Sequence, residues 1–322
     1  MQYQNLGDSG LTVSRIALGS WLTYGSAVDV QRAARITHAA LEQGVILLDT
    51  ADAYARGEAE RVWGEVLTDV QRSDYVLAGK LFWPMSDNPN DRGLSRKHLF
   101  ESIDKSLKRL RTDYLDLYQC HRYDDDTPLH ETVRAMGDLV RVGKTLYWGV
   151  SCWTAAQITD ACRLADQLGV PRPISNQPPY SLLERSIEQE VVPRSDAEGL
   201  GQIVWSPLAQ GVLTGKYSGG ARPEGSRGAD DQRNYFMGGH LTDDILGRVD
   251  AMVGLARDLD TSPARLALAW CLRTPSITSV IVGATRIEQV ADNVGAADLE
   301  IPDEVLARLD ELFPGPGPMP AI

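Results

Sequence analysis

Four polar residues stand behind short apolar runs, and their types suit one kind of chemistry. Asp49 closes the run 46–49 (ILLD), Tyr54 follows a little further on, Lys80 follows the run 75–79 (YVLAG), and His121 follows the run 114–119 (YLDLYQ). A tyrosine hydroxyl titrates near ~10 in water, and an adjacent ammonium favours the phenolate and lowers that value. A lysine paired with a buried aspartate keeps its charge, so the chain Asp49, Lys80, Tyr54 would make Tyr54 a general acid usable near neutral pH. His121 could then hold a substrate oxygen by a hydrogen bond. The set contains no nucleophile. It suits protonation of an oxygen while a hydride arrives at the attached carbon, which requires a hydride donor. Each residue alone has a structural reading, as turn former, packing ring or satisfied buried histidine. Their convergence at one rim is what would make them chemical.

The elements that must bring them together are legible in the spacing. Eight short runs recur: 16–19, 46–49, 75–79, 114–119, 146–150, 174–177, 203–206 and 279–282. Most are continuous in apolar character, as strands buried on both faces by flanking helices are. Between them lie helical segments with their own start and stop signals. In 95–110, Ser95 can cap the first turn while Leu99, Ile103, Leu107 and Leu110 share one face. The segment 29–44 starts at a capping Asp29 and stops at Gly44, and Ser262-Pro263 opens another helix. Eight strand–helix units predict an α/β fold, a closed (β/α)8 TIM barrel, whose reactive groups gather at the C-terminal ends of the strands. An open doubly wound sheet fits less well, because it needs a phosphate-binding glycine turn after the first strand. A hairpin around Gly7 to Gly10 should plug the barrel bottom. A long loop between strands seven and eight, with a Gly, Asp and Arg rich stretch at 218–240, reads as a lid or a mobile segment. The expectation is a single domain over 1–313 and a flexible tail over 314–322.

Composition excludes other classes. The 322 residues carry 32 Lys+Arg against 44 Asp+Glu, a net charge of −12, which argues against a nucleic-acid or anionic-membrane partner. The four cysteines, Cys120, Cys152, Cys162 and Cys271, are too few and too irregular for a disulfide framework or a zinc knuckle. With no export signal and no apolar span, they read as reduced thiols in the cytoplasm. No strand-GxGxxG-helix unit exists, GVLTGKY lacks P-loop spacing, and the five histidines form no metal-binding pair. The run Asp124 to Asp126 reads as a solvated helix start. Trp21, Tyr24, Trp83, Trp153, Tyr235 and Phe236 are candidates to line a substrate pocket.

The segments LLDTADAYARGEAERVWGEVL, VLAGK, YLDLYQCHRYD, WGVSCW, SNQPPYSLL, WSPLAQGVLTGKY and VGATRIEQVADNVGA resemble, in order and spacing, the aldo-keto reductases, from Leu6 to about Phe313. Within them, LGSWLTYG, RGLSRKHLFESIDKSLKRL, PLHETVRAM and LAWCLR look most like the branch of potassium-channel beta subunits and their bacterial relatives. The resemblance implies a catalytic tetrad of Asp49, Tyr54, Lys80 and His121, with NADPH/NADP+ extended along the barrel mouth. It places Gly19, Ser20 and Trp21 on the cofactor side, Ser151 and Gln177 on the carboxamide, and Trp205 on the ring face. Ser206, Leu208 and Lys216 would hold the pyrophosphate, Arg227 would clamp it, and Gly283, Thr285, Gln289 and Asn293 would surround the adenosine 2′-phosphate. Arg286 favours that phosphate, and Asp292 stands where the branch tends to have Glu. The implied activity is reduction of a small-molecule carbonyl substrate. The alternatives are a redox-sensing regulatory subunit with slow turnover, and a barrel isomerase or lyase using Lys80 as a Schiff base. Relatives of the branch form tetramers or octamers, which implies a homo-oligomer.

Overall fold

The computed structural model describes residues 1–224, 226–229, 237 and 239–316. Tyr235, Phe236, part of the 218–240 stretch and most of the tail expected over 314–322 lie outside the described residues. The chain opens with an antiparallel hairpin, β1 (Tyr3–Asn5) and β2 (Thr12–Ser14). Eight strands follow: β3 (Ile16–Gly19), β4 (Leu47–Asp49), β5 (Val76–Leu81), β6 (Leu115–Cys120), β7 (Thr145–Val150), β8 (Ser175–Asn176), β9 (Gly201–Val204) and β10 (Ile277–Val282). They close a barrel in the order β10-β3-β4-β5-β6-β7-β8-β9, with every pair parallel. The fold is the expected (β/α)8 barrel.

One helix crosses between most neighbouring strands: α1 (Val30–Glu42), α2 (Glu58–Val66), α3 (Arg96–Leu110), α4 (Leu129–Arg141), α5 (Ala155–Leu168) and α6 (Val191–Glu198). The interval before β10 carries short turns at Ala209–Thr214, Ser218–Gly220 and Arg227–Ala229, then α7 (Asp243–Asp258) and α8 (Pro263–Leu272). After β10 come α9 (Ile287–Val294) and α10 (Asp303–Leu312). The capping signals act as read. Asp29, Ser95 and Ser262 each accept a backbone N–H of the first turn, and Gly44 takes φ +83° just past α1. Strand limits shift by a residue or two from the apolar runs, because backbone pairing rather than side-chain character ends a strand.

Period-2 alternation decides which residues enter the barrel. Ala17, Leu47, Val76, Ala78, Leu117, Ile203 and Ile281 fill the lower interior, sealed by Leu6 and Val13 of the hairpin segment. Leu48, Leu77, Leu81, Tyr118 and Cys120 instead face the helices. The hairpin is therefore the plug that the sequence predicts. At Gly7, φ is +59° and an added Cβ would lie 2.2 Å from the Gly199 carbonyl, so only glycine fits that approach. Above the apolar layer the interior turns polar, with Asp49, Lys80, Gln119, Asn176, Gln177 and Gln202 buried. Among the described residues, no helix is long and apolar enough to cross a membrane.

Candidate active site

Asp49 ends β4 and Lys80 stands near the end of β5, and register makes them neighbours. Asp49 pairs with Ala78, so Lys80 lies one alternation further toward the mouth on the same inward face. Its ammonium is fully buried and donates to Asp49 Oδ2 at 2.6 Å, to the Thr50 carbonyl at 2.7 Å and to the Tyr54 hydroxyl at 3.1 Å. All three protons are used. Burial alone would lower the Lys80 pKa, but the charge of Asp49 and the hydrogen bonds to Asp49 and Tyr54 outweigh it and raise it. A charged, triply bonded amine does not attack a carbonyl, so the geometry opposes the Schiff-base alternative.

Tyr54 opens a tight turn, Tyr54–Gly57, in which Ala55 and Arg56 hold left-handed conformations at φ 49° and 54° before Gly57 at 87°. Such non-glycine positions cost of order 1 kcal/mol each and persist where surroundings over-determine them. Here they aim the ring back over Lys80, whose Nζ is 4.8 Å from the ring centroid. Burial pushes the Tyr54 hydroxyl up, and Lys80 and Arg122 pull it back only in part while Asp49 adds to the rise. The sequence reading had Lys80 lowering this value. Its influence has that sign, but desolvation is larger, so Tyr54 remains a protonated donor through neutral pH.

His121 lies just past β6, its N–H held by the Leu81 carbonyl at 2.9 Å, and its ring meets Tyr54 edge to face at 5.8 Å. Burial first, then Lys80 and Arg122, hold its pKa well below the usual imidazole value, so the ring is neutral. Its Nδ1 is buried without a hydrogen-bond partner. Tyr54 also contacts Trp21 (6.5 Å), Trp21 contacts Trp205 (6.3 Å), and Trp83 contacts His121 (6.1 Å). The mouth is thus an aromatic trough with a proton donor at its floor.

Around the rim, Gln177 Nε2 donates to Asp49 Oδ1 at 2.8 Å, and Ser151 Oγ donates to the Gln177 carbonyl at 2.7 Å. Gln210 Nε2 donates to Ser206 Oγ at 2.5 Å while its Oε1 accepts from Arg227, whose guanidinium lies 6.0 Å from the Trp21 ring. A Cβ on Gly283 would come 3.5 Å from Thr23 Cγ2 and 3.9 Å from the Arg227 guanidinium, so Arg227 lies over the end of β10. Lys216 folds across Gly211, where a Cβ would be 2.7 Å from its Nζ. Leu208 is half-buried at the start of that turn. Thr285 and Arg286 donate their N–H groups to Gln289 Oε1 at 2.8 and 3.3 Å at the start of α9. Lys216, Arg227 and Arg286 thus collect at the β9–β10 side of a net-acidic molecule, a donor set suited to a polyanion.

Several residues expected at the site are elsewhere. Tyr24 is 1% exposed, bonded to Thr37 Oγ1 at 2.8 Å and stacked edgewise on Trp63, so it belongs to the α1–α2 core. Trp153, 2% exposed, packs on Tyr123 rather than lining the mouth. A Cβ on Gly19 would meet Ile281 Cγ2 at 2.5 Å, and Ser20 is wholly buried with its hydroxyl on Thr50 Oγ1. Both lie at the mouth end of β3, beside Asp49. The Asp292 carboxylate is bonded to Ser262, the cap of α8, and to Arg265 on α8, and Asn293, near the end of α9, is buried. Asp124 is no solvated helix start, since it accepts from Leu94 N–H and Thr127 Oγ1. Conversely, Gln119, Gln210 and Arg122 belong to the mouth and were not singled out. Alternation inward through Leu117, Gln119 and His121 could have found the first. Gln210 is placed by a left-handed turn that no run length reveals.

The sequence profile described as "Aldo/keto reductase family" matches residues 15–313. A protein from Oryza sativa subsp. japonica named "Probable voltage-gated potassium channel subunit beta" is 45% identical over 302 residues, 93% of this chain and 92% of its own length. One of the same name from Arabidopsis thaliana is 44% identical over the same shares. A "Putative voltage-gated potassium channel subunit beta" from Schizosaccharomyces pombe (strain 972 / ATCC 24843) is 37% identical, over 97% of this chain and 93% of its own. The chain belongs to the aldo/keto reductase family, a family of oxidoreductases, and resembles the potassium-channel beta subunits within it.

Proposed function

We propose that the protein is an NADPH-dependent reductase of aldehydes and ketones. The observation that carries this is the buried ammonium of Lys80 joining Asp49 to the Tyr54 hydroxyl, beneath an aromatic trough. Bound along the β9–β10 side, NADPH would supply a hydride to the carbonyl carbon. Trp205 and Trp21 offer ring faces, Ser151 and Gln177 the amide partners, and Ser206, Leu208, Lys216, Arg227, Gly283, Thr285 and Arg286 the phosphate side. Arg286, at the start of α9, favours the extra 2′-phosphate. Tyr54 donates a hydrogen bond to the carbonyl oxygen and then its proton. Lys80 stabilises the oxygen left behind, Asp49 keeps Lys80 charged, and neutral His121 orients the substrate oxygen.

The test is the loss of nicotinamide absorbance when the purified protein meets NADPH and an aromatic aldehyde. Tyr54→Phe should lower kcat by roughly 100-fold or more. Equal turnover by both proteins rejects the assignment. We read residues 1–313 as one domain, acting in the cytoplasm and assembling as a homo-oligomer. The relatives' names support a second reading, a redox-sensing subunit that binds NADPH and turns over slowly. A single burst of oxidation without steady-state turnover would favour it.

A further inference from the structure

The cations at the barrel mouth fall into two groups. Lys216, Arg227 and Arg286 lie by β9 and β10, whereas Arg122 follows His121 at the end of β6. In the strand order β6 stands four places from β10 in a ring of eight, on the opposite side of the mouth. Arg122 is therefore separate from the set assigned to the cofactor phosphates. Its guanidinium lies 5.5 Å from the centroid of Trp83, a ring that is 40% exposed and packs on His121. One of its N–H groups donates to the His121 carbonyl.

Among the described residues, nothing neutralises it. The nearest acids along the chain do not reach it: Asp124 is spent on Leu94, Asp126 and Thr127, and Asp125 and Asp126 are exposed. No carboxylate among the described residues lies within ion-pairing distance of Arg122. A half-buried guanidinium with one carbonyl partner keeps most of its five donors unused, in a fork that matches a carboxylate in two-point contact. Its charge is felt at the reacting groups, because it acts on both the Tyr54 hydroxyl and the His121 ring. Arg122 lies on Trp83 at 5.5 Å, Trp83 on His121 at 6.1 Å and His121 on Tyr54 at 5.8 Å, so an anion at Arg122 would sit within one small molecule's length of the proton donor.

We propose that Arg122 is a specificity residue that anchors the carboxylate of an aldehyde or ketone substrate, with Trp83 flanking the body of that molecule. This rests on the reductase reading above. The test compares 4-carboxybenzaldehyde with its neutral methyl ester, methyl 4-formylbenzoate, in the full-length protein with NADPH. Wild type should favour the acid in kcat/KM by roughly 10-fold or more, mostly through KM, and Arg122→Gln should bring the ratio close to one. Arg122→Lys should retain part of the preference, since it keeps the charge and loses the fork. If Arg122→Gln lowers both substrates equally, Arg122 only supports His121 and the proposal fails. Calorimetric binding of 4-(hydroxymethyl)benzoate to wild type and to Arg122→Gln gives a readout free of turnover. Roughly 10-fold weaker binding to the variant sustains the anchor even where neither aldehyde is reduced, an outcome that rejects the reductase reading alone. Equal binding overturns the anchor.

Discussion

Two buried acid–base clusters lie three residues apart in the chain and are built on opposite terms. In the first, Asp49 and Lys80 are balanced: one carboxylate, one ammonium, and an acceptor for every ammonium proton. In the second, Asp52 and Glu60 share one cation, Arg109, whose Nε donates to Glu60 Oε2 at 2.6 Å. Asp52 Oδ2 accepts from Ser102 Oγ at 2.9 Å, and among the described residues Asp52 Oδ1, Glu60 Oε1 and the Tyr118 hydroxyl are buried without side-chain partners. The first cluster faces the mouth and the second lies between β5, β6, α2 and α3. Burial, then the charge of Glu60, pushes the Asp52 carboxyl up to about 7, and burial raises Glu60 against the pull of Arg109. Charge balance, not burial as such, decides which cluster stays ionised.

The largest way to break the comparison is Lys80→Met, which leaves Asp49 buried opposite nothing charged. It should cost kcat roughly 100-fold or more and lower stability by about 3–5 kcal/mol, read by NADPH oxidation and by urea unfolding. Arg109→Met attacks the other cluster and should lower stability by a similar amount at pH 8, but less at pH 5, where a proton can replace the cation. Equal losses at both pH values would show that the second cluster carries no extra proton. A smaller effect, about 1–3 kcal/mol, is expected for Gly64→Ala, whose Cβ would lie 2.1 Å from the Arg109 carbonyl and force α2 off α3.

Asp52→Asn sharpens the comparison through pH. Because the folded pKa of Asp52 lies above its unfolded value of 3.8, its contribution is fully present below that value and is lost as pH rises to about 7. Wild-type stability should fall across that window, by at most about 1.4 kcal/mol per pH unit for this proton, and the variant should flatten the fall. Identical urea midpoints against pH for the two proteins would refute this. The smallest effect belongs to the exposed pair Lys97–Glu101: Glu101→Gln should change stability by less than about 0.5 kcal/mol.

The eight apolar runs, the capping residues Asp29, Ser95 and Ser262 and the inward alternation of β5 and β6 are local patterns, so the barrel and the strand-end positions of Asp49, Lys80 and His121 follow from the sequence. Which aromatic rings face the mouth does not. Trp21 and Tyr24 are close in sequence, yet Trp21 lies against Trp205 while Tyr24 packs on Trp63. A loop's side-chain directions depend on which helices surround it, and no periodicity records that. The pairing of Asp49 with Lys80 needed the register of β4 on β5, and the isolation of Arg122 needed the closure that sets β6 opposite β10. Sequence determined the elements and the chemical types, because these rest on neighbours three or four residues away. Only tertiary structure decided which charges are matched and which are not, because electrostatic balance in a buried site is a sum over strands that the chain visits far apart.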